Sequence, residues 1–140
     1  MISDNAKLAL ESEWEVNDDY PLASEDQLQD FEAEYSEIPA DFRWFLERLG
    51  GGSVADEWVD DIERLAVTHE KLRNEDGSWN VEDFFAIGWD SSGNPLGISL
   101  ADGRVLVLDP TSGPEGYELA PSFGAMLLEQ FKDNPKFKNL

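Results

Sequence analysis

Residues 84–108 constrain the fold more than any other part of this chain. Phe84-Phe85-Ala86-Ile87-Gly88-Trp89 is a continuous apolar run, the pattern of a central strand. Asp90-Ser91-Ser92-Gly93-Asn94 has the composition of a turn. Leu96, Ile98 and Leu100 then alternate with Pro95, Gly97 and Ser99, the period-two pattern of a half-buried strand. Asp102-Gly103 is a hairpin signal, because both residue types accept positive φ. Arg104 to Leu108 can return antiparallel. The spacing predicts a three-stranded meander.

The flanking segments read as helices. Ser24 and Gln27 fit a capping box, and Glu25 and Asp26 suit the positive end of the helix dipole. Leu28, Phe31 and Tyr35 follow on one stripe, and Ile38-Pro39 ends the run. Pro39 opens a second helix with Phe42, Phe45, Leu46 and Leu49 as its apolar stripe, stopped by Gly50-Gly51-Gly52. Residues 53–59 suit either a short strand or an ordered loop. Asp60 or Asp61 can cap a third helix bearing Ile62, Leu65, Ala66 and Leu72, which Asn74-Glu75-Asp76-Gly77 ends. Residues 109–119 read as a loop. Ser122 caps a last helix with Phe123, Met126, Leu127 and Phe131, and Lys132, Lys136 and Lys138 lie near its end. Helices, meander and helix in that order predict an α+β fold, with helices packed on one face of a small antiparallel sheet. The expected organisation is a single domain over residues 24–140 behind a loose N-terminal arm over 1–23. Within that arm, residues 6–14 suit a short helix with Leu8 and Leu10 partly buried.

Charge narrows the function. Thirty-one acidic residues face ten basic ones, giving −21, and residues 1–39 alone carry 12 acids and one base. Such a field repels nucleic acid and anionic membranes and attracts basic proteins, although solubility is a competing explanation. With 41% hydrophobic and 11% aromatic residues the chain has a core to build, so disorder is not expected. No apolar run reaches the ~20 residues of a membrane span. The start, Met1-Ile2-Ser3-Asp4-Asn5, lacks the basic and apolar regions of a secretory leader. There is no cysteine, hence no disulfide, thiolate metal site or cysteine nucleophile. A cytoplasmic protein is expected, monomeric or weakly dimeric.

Chemistry finds little purchase. His69 is the only histidine, and no serine sits in a nucleophile elbow, so it reads as solvated. One histidine and no cysteine argue against a transition-metal site. Asp90, Ser92 and Asn94 match alternate positions of a calcium loop, but Pro95 and Ala101 occupy the positions that need Gly and Glu, so a hairpin turn is expected. Acid neighbours such as Asp18/Asp19, Asp60/Asp61 and Glu82/Asp83 are expected by coincidence in so acidic a chain. Gly50 to Ser53 lacks the lysine of a phosphate loop and follows a helix. The reading assigns no catalytic residue, no metal and no cofactor.

Binding candidates remain. Asp56-Glu57-Trp58-Val59-Asp60-Asp61 places an aromatic among four acids, the composition of an interface anchor with a charged rim. The competing reading packs Trp58 inside and uses the acids as helix caps. Trp14, Asp18, Asp19 and Tyr20 form a second candidate. Trp44 lies off the apolar stripe of its helix and is a third. Trp79 and Trp89 are expected to seal the sheet.

Three segments share a known order. They are Ile38-Pro39-Ala40-Asp41-Phe42-Arg43-Trp44-Phe45-Leu46-Glu47-Arg48-Leu49-Gly50-Gly51-Gly52, then Phe85-Ala86-Ile87-Gly88-Trp89-Asp90-Ser91-Ser92-Gly93-Asn94, then Leu119-Ala120-Pro121-Ser122-Phe123-Gly124-Ala125-Met126-Leu127. Over roughly residues 24–132 the chain resembles the SUKH superfamily, whose Smi/Knr branch includes fungal cell-wall regulators and bacterial immunity proteins. Leu49 stands where that family often has Asn. The resemblance implies an α+β protein-binding module without catalytic residues, and an immunity protein that neutralises a toxin by stoichiometric binding. A basic, nucleic-acid-targeting toxin suits the −21 charge. The alternatives are a regulatory scaffold binding a cellular protein, and an acidic DNA mimic.

Overall fold

The computed structural model describes residues 1–74, 83–112, 116–138 and 140. Its elements are α1 (Asp4–Glu13), α2 (Glu25–Glu34), α3 (Ala40–Arg48), β1 (Gly52–Val54), β2 (Glu57–Val59), α4 (Ile62–Asn74), β3 (Phe84–Trp89), β4 (Pro95–Ser99), β5 (Val105–Val107), β6 (Tyr117–Ala120) and α5 (Phe123–Glu129). Short 3₁₀ turns occupy Pro110–Ser112 and Pro135–Phe137. The fold is α+β, with the six strands in one antiparallel sheet in sequence order.

The expected meander is the centre of that sheet, extended on both sides. Residues 53–59 contribute a two-residue hairpin, β1–β2, which joins the end of β3 through Trp58↔Trp89 and Val59↔Gly88. The loop expected over 109–119 instead yields β6, paired with β5. That strand escapes pattern reading because a register shift between Val105 and Leu106 breaks its alternation.

Register sorts the side chains. Val54, Val59, Phe85, Leu96, Ile98, Val105 and Val107 share the face under the helices and belong to the core. Trp58, Trp89 and Pro95 fall together on the other face. That face is not simply solvated, contrary to the half-buried pattern of β4: all five residues of that strand are buried. The ring of Phe84 lies over Gly97, so close that a Cβ there would meet it at 2.4 Å. Leu100, expected on the buried side, is 55% exposed because the strand ends at Ser99.

Helix signals hold well. Ser24 and Gln27 form the capping box of α2, Ser24 N–H donating to Gln27 Oε1 at 2.9 Å and Gln27 N–H to Ser24 Oγ at 3.2 Å. That helix stops at Glu34, before the residue preceding proline. On α3, Phe42, Phe45 and Leu46 are buried as expected. The segment before α2 is packed rather than loose. Ile2, Ala6 and Leu10 belong to the same core, while Leu8 is 66% exposed. Spacing by four puts Ala6 and Leu10 on one face of α1 and turns Leu8 away.

His69 corrects a second expectation. It is not solvated: its ring packs 4.6 Å from Phe85 and 5.0 Å from Phe31, centroid to centroid. Nε2 lies 2.8 Å from the Ala86 carbonyl, so Nε2–H donates there. Burial pushes its pKa down and keeps it neutral. Together with Asp60 N–H, which donates to Ile87 O at 2.8 Å, it covers the part of the β3 edge that the short β2 leaves open. The Asn74–Gly77 helix stop, Trp79 and Glu82 lie wholly or partly outside the described residues.

Candidate functional site

The β1–β2 hairpin and the chain before α2 build one surface. Its foundation is backbone. Gly50 follows α3 with φ +95°, and a Cβ there would sit 2.3 Å from the Tyr20 carbonyl oxygen. Only glycine lets residues 20–22 lie this close, so the glycine run is a docking platform as well as a helix stop. Ala23 N–H donates to Leu46 O at 2.9 Å and pins the same segment. Tyr20 then reaches Trp58 of β2, edge to face at 5.0 Å. Gly88 does similar work at the sheet: a Cβ would meet the Trp58 carbonyl oxygen at 1.8 Å, so β2 docks only on glycine there.

The two candidate segments that the sequence suggested separately therefore meet. Arg64 of α4 holds them together. Its guanidinium lies 5.0 Å from the Tyr20 ring and 5.9 Å from that of Trp58. Arg64 Nη1 donates to Asp19 O and to Asp61 Oδ1, both at 2.8 Å. Asp18 and Asp19, just before Tyr20, and Asp56, at the hairpin tip, are exposed, and Trp58 is half-buried.

Asp60 and Asp61 are not rim acids. They are 1% and 0% exposed. Asp61 Oδ2 accepts from Glu63 N–H at 3.2 Å and so caps α4, the role the competing reading gave these acids. Asp60 anchors a network behind the surface. Its carboxylate accepts from Trp58 Nε1 at 3.1 Å and Thr68 Oγ1 at 2.6 Å, and Trp89 Nε1 donates to the same hydroxyl at 3.0 Å. Burial pushes the Asp60 pKa up to about 6, against the pull of the Thr68 and Trp58 hydrogen bonds. Glu57 points toward the core face at the end of the sheet. Its Oε2 is buried with no hydrogen-bond partner among the described residues, and burial with the nearby charges of Asp90 and Asp56 raises its pKa.

The remaining candidates fall in different places. Trp14 packs on Phe45 at 5.6 Å and leans on Phe131 at 6.2 Å. With Tyr20 it lines a cleft of about 350 Å³ beside the hairpin. Trp44 takes no part in the Tyr20–Trp58 cluster and instead has Lys7 of α1 5.6 Å from its ring. Arg64, Thr68 and the cleft were not singled out from the sequence. The one local signal for any of them is the i,i+3 spacing of Asp61 and Arg64. Asp90 closes its turn as expected, accepting from Ser92 N–H at 2.9 Å and Asn94 N–H at 2.8 Å. Among the described residues no cluster of three acids or histidines is placed to hold a metal ion, and no helix is long and apolar enough to cross a membrane.

The hairpin tip is strained. Ala55 and Asp56 have φ of +49° and +68°, values that the turn demands but that glycine or asparagine would supply more cheaply. Gln130, at the end of α5, steadies the tip: its Oε1 accepts from Ala55 N–H at 2.8 Å. Ala55→Gly is expected to raise unfolding free energy by about 0.5–1 kcal/mol, left-handed strain outweighing the entropy of a new glycine. A urea midpoint that stays put or falls would show that the tip carries no strain.

A six-stranded meander carrying helices on one face, with an aromatic cluster at one hairpin, defines a small α+β domain with its distinctive surface at that hairpin. Residues 22–129 match the model of the SMI1/KNR4 family (SUKH-1), and the chain belongs to that family. No curated protein matches the chain significantly. The matched span begins at Leu22, so Trp14 and Tyr20 precede it whereas Trp58 and the hairpin lie within it.

Proposed function

We propose that this chain is an immunity-type protein that masks a basic, nucleic-acid-targeting toxin by one-to-one binding at the β1–β2 hairpin. The observation behind the reading is the Tyr20–Trp58 pair, with exposed Asp18 and Asp19 just before Tyr20 and exposed Asp56 at the tip of the same hairpin. Aromatic anchors inside a charged rim are the usual make-up of binding hot spots. The surrounding charge suits a basic partner. Among the described residues, Arg43, Arg48, Arg64, Arg73, Arg104, Lys132 and Lys136 each have a carboxylate within 4.0 Å, and the acids outnumber the bases by 21. A field of this size can raise association rates by ~10–1,000-fold at low salt. The reading gives the chain a stoichiometric role with no catalytic residue.

The test is binding to the product of a neighbouring toxin-like gene. Association should slow steeply as salt rises. Trp58→Ala should weaken binding by about 30-fold or more, as hot-spot truncations do. Because Trp58 also serves Asp60, the double variant Asp18→Lys, Asp19→Lys provides a second arm at exposed positions, and it should slow association without loss of fold. A toxin left unmasked in cells and unbound at low salt would overturn the proposal. A cellular protein captured in its place, through the same two arms, would point to a regulatory scaffold.

A further inference from the structure

We infer that the cleft between residues 13–20, the β1–β2 hairpin and the end of α5 receives one arginine side chain from the basic protein partner. The inference rests on the proposed binding at the hairpin and names what enters beside it. The cleft encloses about 350 Å³, at the low end for binding pockets and suited to one long side chain. Rings of Trp14, Tyr20 and Phe131 line it, and Glu13 and Glu15 add carboxylates. The walls are held from behind. Trp14 packs edge-on against Phe45, and Phe131 stacks on Phe137 with centroids 4.7 Å apart.

Ring faces and carboxylates together attract cations. The protein's own cations already use two of these groups. Arg64 lies over the Tyr20 ring at 5.0 Å, and Lys136 Nζ pairs with Glu13 Oε1 at 2.6 Å. Glu15 is exposed and has no basic group within 4.0 Å among the described residues, which leaves its carboxylate for an incoming cation. Arginine fits better than lysine. Its guanidinium is planar and weakly hydrated, stacks on rings and can fork onto a carboxylate, whereas an ammonium resists dehydration. Gly51 and Gly52 line the cleft beside Ser53, with the Tyr20 ring lying over Gly52.

The probes are three short end-blocked peptides, identical except for a central arginine, lysine or citrulline, the last being nearly isosteric with arginine but uncharged. They are titrated at about 150 mM salt, where screening beyond about 8 Å removes diffuse attraction. The indole N–H resonance of Trp14, assigned with Trp14→Phe, is the readout. The arginine peptide should shift it saturably, lysine should bind several-fold more weakly, and citrulline at least about tenfold more weakly. Glu15→Gln should cost the arginine peptide about three- to tenfold. Ser53→Trp, at an exposed cleft position, should abolish the shift. Equal binding of arginine and citrulline, or shifts at Trp44 and Trp89 with none at Trp14, would overturn the inference. Failure of the peptides would leave the masking of a toxin standing. A chain that takes the arginine peptide but binds no basic protein would overturn the masking instead and leave the cleft an arginine site.

Discussion

Replacing Phe42 with alanine is expected to lower the unfolding free energy by about 3–5 kcal/mol, the cost of deleting a large ring from a core that cannot collapse around the gap. Phe42 is fully buried. Its ring stacks on Phe45 at 5.7 Å, meets Phe123 edge-on at 5.3 Å and approaches Phe85 at 6.1 Å. These partners come from α3, α5 and β3, so the ring joins three elements rather than filling one of them. Each partner is itself buried and held by others, which limits relaxation into the space. Domains of this kind have about 5–15 kcal/mol in total, so the loss takes a large fraction of the stability. Urea unfolding checks it: the midpoint should fall while the slope stays constant. A loss under about 1 kcal/mol would mean that the core repacks freely. The consequence reaches the candidate surface, because α3 leads directly into the Gly50 platform on which Tyr20 rests.

The second large effect depends on pH and comes from Asp60. Burial raises its pKa from 3.8 to about 6, so between those values the folded chain holds a proton that the unfolded chain has released. Stability therefore falls as pH rises through that window. The shift corresponds to roughly 3 kcal/mol, fully lost above about pH 6. Other groups titrate nearby. Glu57, also raised, acts in the same direction. His69, held below its ordinary 6.5, acts in the opposite one, since the unfolded chain gains a proton there that the folded chain resists. Asp60→Asn isolates the effect. Relative to the parent chain, the variant should gain up to about 3 kcal/mol between pH 3.5 and pH 7, when both are unfolded by urea across that range. The amide that replaces the carboxylate can still accept from Trp58 and donate to Thr68 Oγ1, so the packing survives the change. A constant difference across pH would show that Asp60 ionises as freely inside as outside.

Much of the architecture was legible in the chain because its causes are local. The capping box of Ser24 and Gln27, the Phe42/Phe45/Leu46 stripe, the Asp90 turn and the Asp102-Gly103 hairpin each act over a few residues, and each appears where the sequence implies. The family was legible as well, from three segments whose order survives without any strong single motif. The candidate surface was legible only in pieces. Trp58 and Tyr20 could be named from composition, but nothing local says that they touch. Their meeting needs Gly50 to bring the chain in close and Arg64 to bridge the parts.

Burial was the property that sequence handled worst. Asp60 and Asp61 suited either an interface rim or a helix cap, and of the two Asp61 caps α4 whereas Asp60 anchors two side chains in the interior. His69 looks like a surface residue and is packed among aromatic rings. A residue's local pattern states what its backbone prefers and which face it shares, because those depend on rotations of the adjacent bonds. Whether that face meets water is decided by segments distant in sequence. In this chain the sequence determined the helices, the central meander, the family and the acidic field. Only the tertiary structure decided which acids that field loses to the interior, and where two aromatic segments close into one surface, because those outcomes rest on contacts between residues far apart in the chain.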